Sequence, residues 1–178
     1  RALVLGSEVM SQDCATPEEC VSLGQKYKEG KDGVAQDTAK AVELFTKTCD
    51  GGFLPACAEL GDVYENGPAE KDYAKALALY TMACDGQNGA GCTGLGSLYA
   101  NGTGVDKDRA KSMEFQGKGC DFGDVQGCED IAEIYNQGDE GVPQDEAKAA
   151  EWNAKGCDAG NESLCWRAAD YFREKAGT

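Results

Sequence analysis

Residues 49–67 read CDGGFLPACAELGDVYENG. The same grammar returns as CDGQNGAGCTGLGSLYANG at 84–102, CDFGDVQGCEDIAEIYNQG at 120–138 and CDAGNESLCWRAADYFREK at 157–175, with a shorter form, CATPEECVSLGQKYKEG, at 14–30. The leading cysteines stand at 14, 49, 84, 120 and 157, so the unit recurs every 35 to 37 residues. A fixed period of this size is the signature of a solenoid, in which each supersecondary unit buries its apolar face only against its neighbours. Such a chain announces no unique pocket, and its function has to be read from a repeated surface.

Within each unit the residue pattern predicts two helices. The first, here termed A, follows the second cysteine and carries Leu-Gly-x-x-Tyr anchors: Leu23, Gly24 and Tyr27; Leu60, Gly61 and Tyr64; Leu95, Gly96 and Tyr99. The fourth copy reads Ile131, Ala132 and Tyr135, and the last Ala168 and Ala169, then Tyr171 and Phe172. Leu and Tyr four apart share a helix face, and a small residue between them admits a close neighbour. The second helix, B, opens at Asp37, Asp72, Asp108 or Asp145, residue types that cap helix N-termini, and ends at the next leading cysteine. An aromatic (Phe45, Tyr80, Phe115, Trp152) precedes that cysteine by four or five residues and is read as core. Gly52, Gly123 and Gly160, three beyond their cysteines, read as helix stops, and the second unit breaks this with Gly86 and Gly89. The expected layout is one array: a cap helix over 1–13, repeats over 14–51, 52–86, 87–122 and 123–159, and a C-terminal helix over 160–178.

Ten cysteines fall into five close pairs. Zinc sites are usually built on C-x₂₋₄-C steps and redox sites on C-x-x-C, and neither spacing occurs. Bridges within each pair are the one scheme that scales with repeat number: Cys14–Cys20, Cys49–Cys57, Cys84–Cys92, Cys120–Cys128 and Cys157–Cys165. Disulfides in turn place the chain in an oxidising compartment, secreted or periplasmic, its signal already removed.

The pattern G-x-G-V-x-x-D-x-x-K-A, followed by Cys-Asp-x-Gly and Cys-x-x-Leu-Gly-x-x-Tyr-x-x-G, resembles Sel1-like repeats over residues 14–172. With its cysteine pairs it is most similar to the Helicobacter cysteine-rich protein family. That resemblance implies an all-α fold, a right-handed α/α superhelical solenoid related to tetratricopeptide arrays, with a local disulfide in each unit. It implies adaptor or host-interaction roles, with penicillin-binding or weak β-lactamase activity as the alternative. The chain departs from the family in its first cysteine pair and its shortened second repeat.

Chemistry in the residues argues for binding over catalysis. Histidine is absent, which removes a Ser-His-Asp site, and no serine has Lys three residues on, as β-lactam chemistry would ask. We therefore expect no catalytic residue, no cofactor and no metal. The net charge of −15, from 32 acidic and 17 basic residues, disfavours nucleic acid and favours a basic partner. No apolar run is long enough to span a membrane. The expectation is a monomeric scaffold that holds a protein or peptide partner on its concave A-helix face. The positions expected there are Asp62, Glu65, Asn66, Asn101, Glu133, Asn136 and Asp170, with Trp166 as a further contact. Asparagines before glycine, as at Asn66 and Asn101, are also plain turn chemistry, and Trp166 also suits a lid on the terminal core.

Overall fold

The structure, a computed structural model, describes residues 14–67, 71–139 and 141–177. The expected cap helix over 1–13 lies outside the described residues. Nine helices and no strand are found among those described: α1 Pro17–Glu29, α2 Thr38–Asp50, α3 Leu54–Asn66, α4 Tyr73–Asp85, α5 Gly89–Asn101, α6 Arg109–Asp121, α7 Val125–Gln137, α8 Glu146–Asp158 and α9 Glu162–Ala176. The odd-numbered helices are the A helices and the even-numbered the B helices. The chain divides into two units at Gly86/Gln87, the first holding α1–α4 and the second α5–α9.

One aspartate per repeat joins each A helix to its B helix. The backbone N–H of Asp37, Asp72, Asp108 and Asp145 donates to the carbonyl of Tyr27, Tyr64, Tyr99 and Tyr135 at 2.8–3.0 Å, closing the A helix. The carboxylate of the same residue accepts the N–H of Lys40, Lys75, Lys111 or Lys148 at 3.0–3.1 Å, opening the B helix. Each such cap contributes about 1 kcal/mol. The ammonium of that lysine then lies 4.9–5.1 Å from the centre of the tyrosine ring. The D-x-x-K signature and the A-helix tyrosine thus form one cation–π clasp, repeated four times.

In the first unit the core runs through Ala41, Leu44, Phe45, Cys57, Leu60, Val63 and Tyr80, all under 9% exposed. Gly24 and Gly61 are there because rings press on them: a Cβ at Gly24 would meet Phe45 at 2.5 Å, and one at Gly61 would meet Tyr80 at 2.8 Å. In the second unit the same contact is made by an amide, since a Cβ at Gly96 would meet Cγ of Gln116 at 2.6 Å. One repeat later Ala132 takes the place of the glycine, and the facing register position carries the shorter Asn153.

This corrects the assignment of the aromatic core position. Counted back four residues from the B-helix cysteine, the buried series is Phe45, Tyr80, Gln116 and Asn153. Phe115 and Trp152 stand one residue earlier and are only half-buried. Phe115 stacks on Tyr99 with 5.6 Å between ring centres, and Trp152 packs against the Cys120, Cys128 and Leu164 cluster.

Bridges Cys14–Cys20, Cys49–Cys57, Cys120–Cys128 and Cys157–Cys165 are formed, with Cα–Cα separations of 4.6–5.1 Å. Cys84 and Cys92 are disulfide-bonded as well. Gly52, Gly123 and Gly160 take φ of +89°, +86° and +102° where their B helices stop, and Gln87 takes φ +65° at the corresponding place. The second repeat, expected to break the pattern, therefore keeps the left-handed stop and places it on a side chain that fits it poorly.

Candidate functional site

Across the A helices of the first unit, a lysine is paired with two carboxylates. Lys28 Nζ lies 2.6 Å from Glu59 Oε2 and 3.1 Å from Asp62 Oδ2, and Gln25 Nε2 donates to Glu59 at 2.8 Å. Burial works against the charge on Lys28, but its bonds to Glu59 and then Asp62 outweigh that and hold its pKa above the ordinary lysine value. Asp62 also accepts from Asn66 Nδ2 at 3.0 Å, so the exposed Asn66 is tied along its own helix.

Glu65 was expected on the solvent side of the groove, and that expectation fails. It is 6% exposed and accepts a 3.0 Å hydrogen bond from the Tyr80 hydroxyl. The cause is the length of the tyrosine. Its ring packs over Gly61, and the hydroxyl at its far end meets the carboxylate one turn along α3. Burial pushes the Glu65 pKa up, with Asp62 adding repulsion, and the bond from Tyr80 partly offsets both. Burial, then Glu65, pushes the Tyr80 phenol up in turn.

Two of the open recesses in the second unit are lined by its A helices. One, of about 380 Å³, lies along α6 and α7, lined by Arg109, Gln116, Asp130, Glu133, Gln137 and Asp139, among others. Most of its polar groups answer one another: Gln116 Nε2 donates to Asp130 at 2.9 Å, Gln126 to the other oxygen of Asp130 at 2.7 Å, Arg109 pairs with Asp139 while its Nε is left without a partner, and Gln137 donates to Glu133. Burial raises the Asp130 pKa, and the two amide donors pull it back.

The other recess, of about 330 Å³, lies among α7, α8 and α9. Asn136 comes from α7, Glu146 and Asn153 from α8, and Arg167, Asp170 and Tyr171 from α9. The two recesses are one repeat apart: Arg109, Gln116, Glu133 and Ile134 correspond, 37 residues on, to Glu146, Asn153, Asp170 and Tyr171. They differ at the floor. Asn153 is 4% exposed and its Oδ1 has no hydrogen-bond partner.

Asn136 and Asp170 therefore share a recess, and Glu133 lines the equivalent one. Asp170 is exposed and also pairs with Arg173 at 2.9 Å. Asn101 is exposed at the last residue of α5, before Gly102 at φ +69°. Trp166 stands 66% exposed and lids no core. Asn153, Gln116, Arg167 and Glu174 were not singled out from the sequence. The signal for them was the distance to the cysteine, which places the two amides at the buried position, whereas aligning by aromatics hides them. Among the described residues no three potential metal ligands cluster, and no helix is long and apolar enough to cross a membrane.

An array of repeated helix pairs defines a repeat scaffold. The Sel1 repeat model matches residues 20–53, 54–88, 89–121 and 125–161, and the chain belongs to the Sel1 repeat family. Among solved structures it resembles a Sel1 repeat protein from Oxalobacter formigenes (26% identity, TM-score 0.68), covering 87% of this chain and 63% of that one. It also resembles c5321, described as a protective antigen present in uropathogenic Escherichia coli strains (25% identity, TM-score 0.67), covering 89% of this chain and 34% of that one. Helicobacter pylori cysteine rich protein B matches at 29% identity and TM-score 0.57 over 73% of this chain and 93% of its own. The chain thus spans less than two thirds of the length of the first two. No curated protein sequence matches it significantly.

Proposed function

We propose that this chain is a protein-binding scaffold of an oxidising compartment, secreted or periplasmic, and that it takes a peptide segment of its partner on the A-helix face of the second unit. The observation that carries this reading is the pair of repeat-equivalent recesses along α7 and α9, each lined by A-helix side chains that the core does not use. The disulfides and the likeness to Helicobacter pylori cysteine rich protein B support the compartment. Acidic Glu133, Asp170 and Glu174 favour a basic segment, and Asn136 offers a donor and an acceptor to its backbone. Asn101 and Trp166, both exposed, are proposed as flanking contacts. The penicillin-binding alternative retains only its family resemblance.

Selection of peptides from a random display library against the oxidised protein tests this reading, with the complex mapped by amide NMR. Shifts gathered on α7 and α9, and weaker binding in Glu133→Lys and Asp170→Lys, are the expected result. Shifts confined to the B helices α6 and α8 overturn it.

A further inference from the structure

The first unit shows how this A-helix face holds an ammonium group. Lys28, eight residues after Cys20, reaches Glu59 and Asp62, which stand two and five residues after Cys57 on the next A helix. The same register in the second unit pairs Asn136, eight after Cys128, with Asp170, five after Cys165. Of the two acceptors the one at the Asp62 register is kept, as Asp170, which also pairs with Arg173 at 2.9 Å, and the cation at the Lys28 register is replaced by a neutral, shorter side chain. Both residues line the recess among α7, α8 and α9. Glu146 and Glu174 add two carboxylates to its wall, while Arg167, at the register of Glu59, is the one cation among the lining residues.

Asn153 supplies an independent observation. Its amide is buried in the floor of this recess, and Oδ1 is unpartnered, whereas Gln116, its equivalent one repeat earlier, spends its amide on Asp130. A buried acceptor without a donor is rare and calls for one. The terminal torsion of an asparagine is broad, so the amide turns readily to present Oδ1 to the recess it lines. A donor arriving there passes three carboxylates, which repel an anion and attract a compact cation.

Resting on the reading of the A-helix face as the binding surface, we propose that this recess receives a primary ammonium group of the partner, from a lysine side chain or a free N-terminus. The ammonium donates to Asn153 Oδ1 and to Asp170, taking in the second unit the place that Lys28 takes in the first.

Titration of the ¹⁵N-labelled oxidised protein with Nα-acetyl-lysine N-methylamide and with glycinamide tests this by NMR. Saturable shifts of the Asn153 side-chain amide, with Asn136 and Asp170 moving in parallel, are expected. The probe that binds tighter identifies the source, lysine or N-terminus. Acetylation of the probe's amine abolishes the shifts, and Asp170→Asn or Asn153→Leu weakens binding about tenfold, the loss of one charge-assisted hydrogen bond. Glu151→Gln, on the exposed side of α8, leaves it unchanged. The spectra themselves report whether each variant is folded. Equal shifts from the acetylated probe, or none at Asn153 with either amine, overturn the proposal. If selected peptides map to α7 and α9 while both amines leave Asn153 unmoved, this inference fails and the scaffold reading stands. If the amines bind while peptides map to the B helices, the scaffold reading fails alone.

Discussion

The two units solve one packing problem with opposite chemistry. Four residues before the B-helix cysteine, the first unit places Phe45 and Tyr80 and the second places Gln116 and Asn153, all at most 4% exposed. Rings over glycine fill the first unit with apolar contact, and Lys28 pairs with Glu59 and Asp62 across its A helices. Amides at the same depth give the second unit a polar floor beneath its recesses. A repeat fold therefore lets one position supply apolar core in some copies and a polar floor in others. Backbone register is common to both, and side chains at a single column decide which duty a repeat performs.

The sharpest test of this division compares that column directly. Phe45→Ala is expected to cost about 3–5 kcal/mol, while Asn153→Leu changes stability by less than about 1.5 kcal/mol because it removes an unsatisfied acceptor as it alters shape. Urea denaturation measures both, and an equal loss in the two breaks the comparison. Removing one bridge from each unit, Cys49→Ser with Cys57→Ser or Cys120→Ser with Cys128→Ser, is expected to cost roughly 2–3 kcal/mol in either, since loop length is the same. A much larger loss in the second unit would show that its amide floor depends on the bridge. Gly24→Ala drives a methyl into the Phe45 ring and is expected to cost about 1–3 kcal/mol. The stability of the chain under the same denaturant, with and without a compensating Phe45→Leu, checks the contact.

Smaller effects depend on pH. Glu65 has its pKa raised in the fold, so its stabilising contribution is fully present below the ordinary carboxylate value of 4.5 and is lost as pH rises through the raised value. Glu65→Gln should therefore raise the melting temperature at pH 7 and flatten its rise on acidification toward pH 5. An unchanged pH profile would remove burial as the cause. The smallest effect is expected from Gln87→Gly, which relieves a left-handed φ at a helix stop and gains up to about 1 kcal/mol.

Local rules made most of the fold legible. Period, A and B helices, the aspartate caps and the paired cysteines all follow from residues within a few positions of one another. The clasp of Lys40 on Tyr27 lay half in view, since the D-x-x-K pattern was plain but the ring it covers belongs to the preceding helix. Glu65 was misplaced because a rule for groove positions counts residues along α3 and takes no account of how far Tyr80 reaches from α4. Asn153 was passed over because Trp152 beside it is the larger and more apolar residue. Which of two neighbours turns inward is settled by helix phase relative to a partner, and the cysteine spacing carried that phase more faithfully than hydrophobicity did.

The short span of the bridges bears on how such a chain is made. In the four bridges described within a unit, the partners are only six or eight residues apart. Closing a loop of this length costs less entropy than closing one that joins cysteines of different repeats, so the native pairing is favoured over long-range alternatives. Yield on refolding from the fully reduced state should for the same reason depend little on the number of repeats.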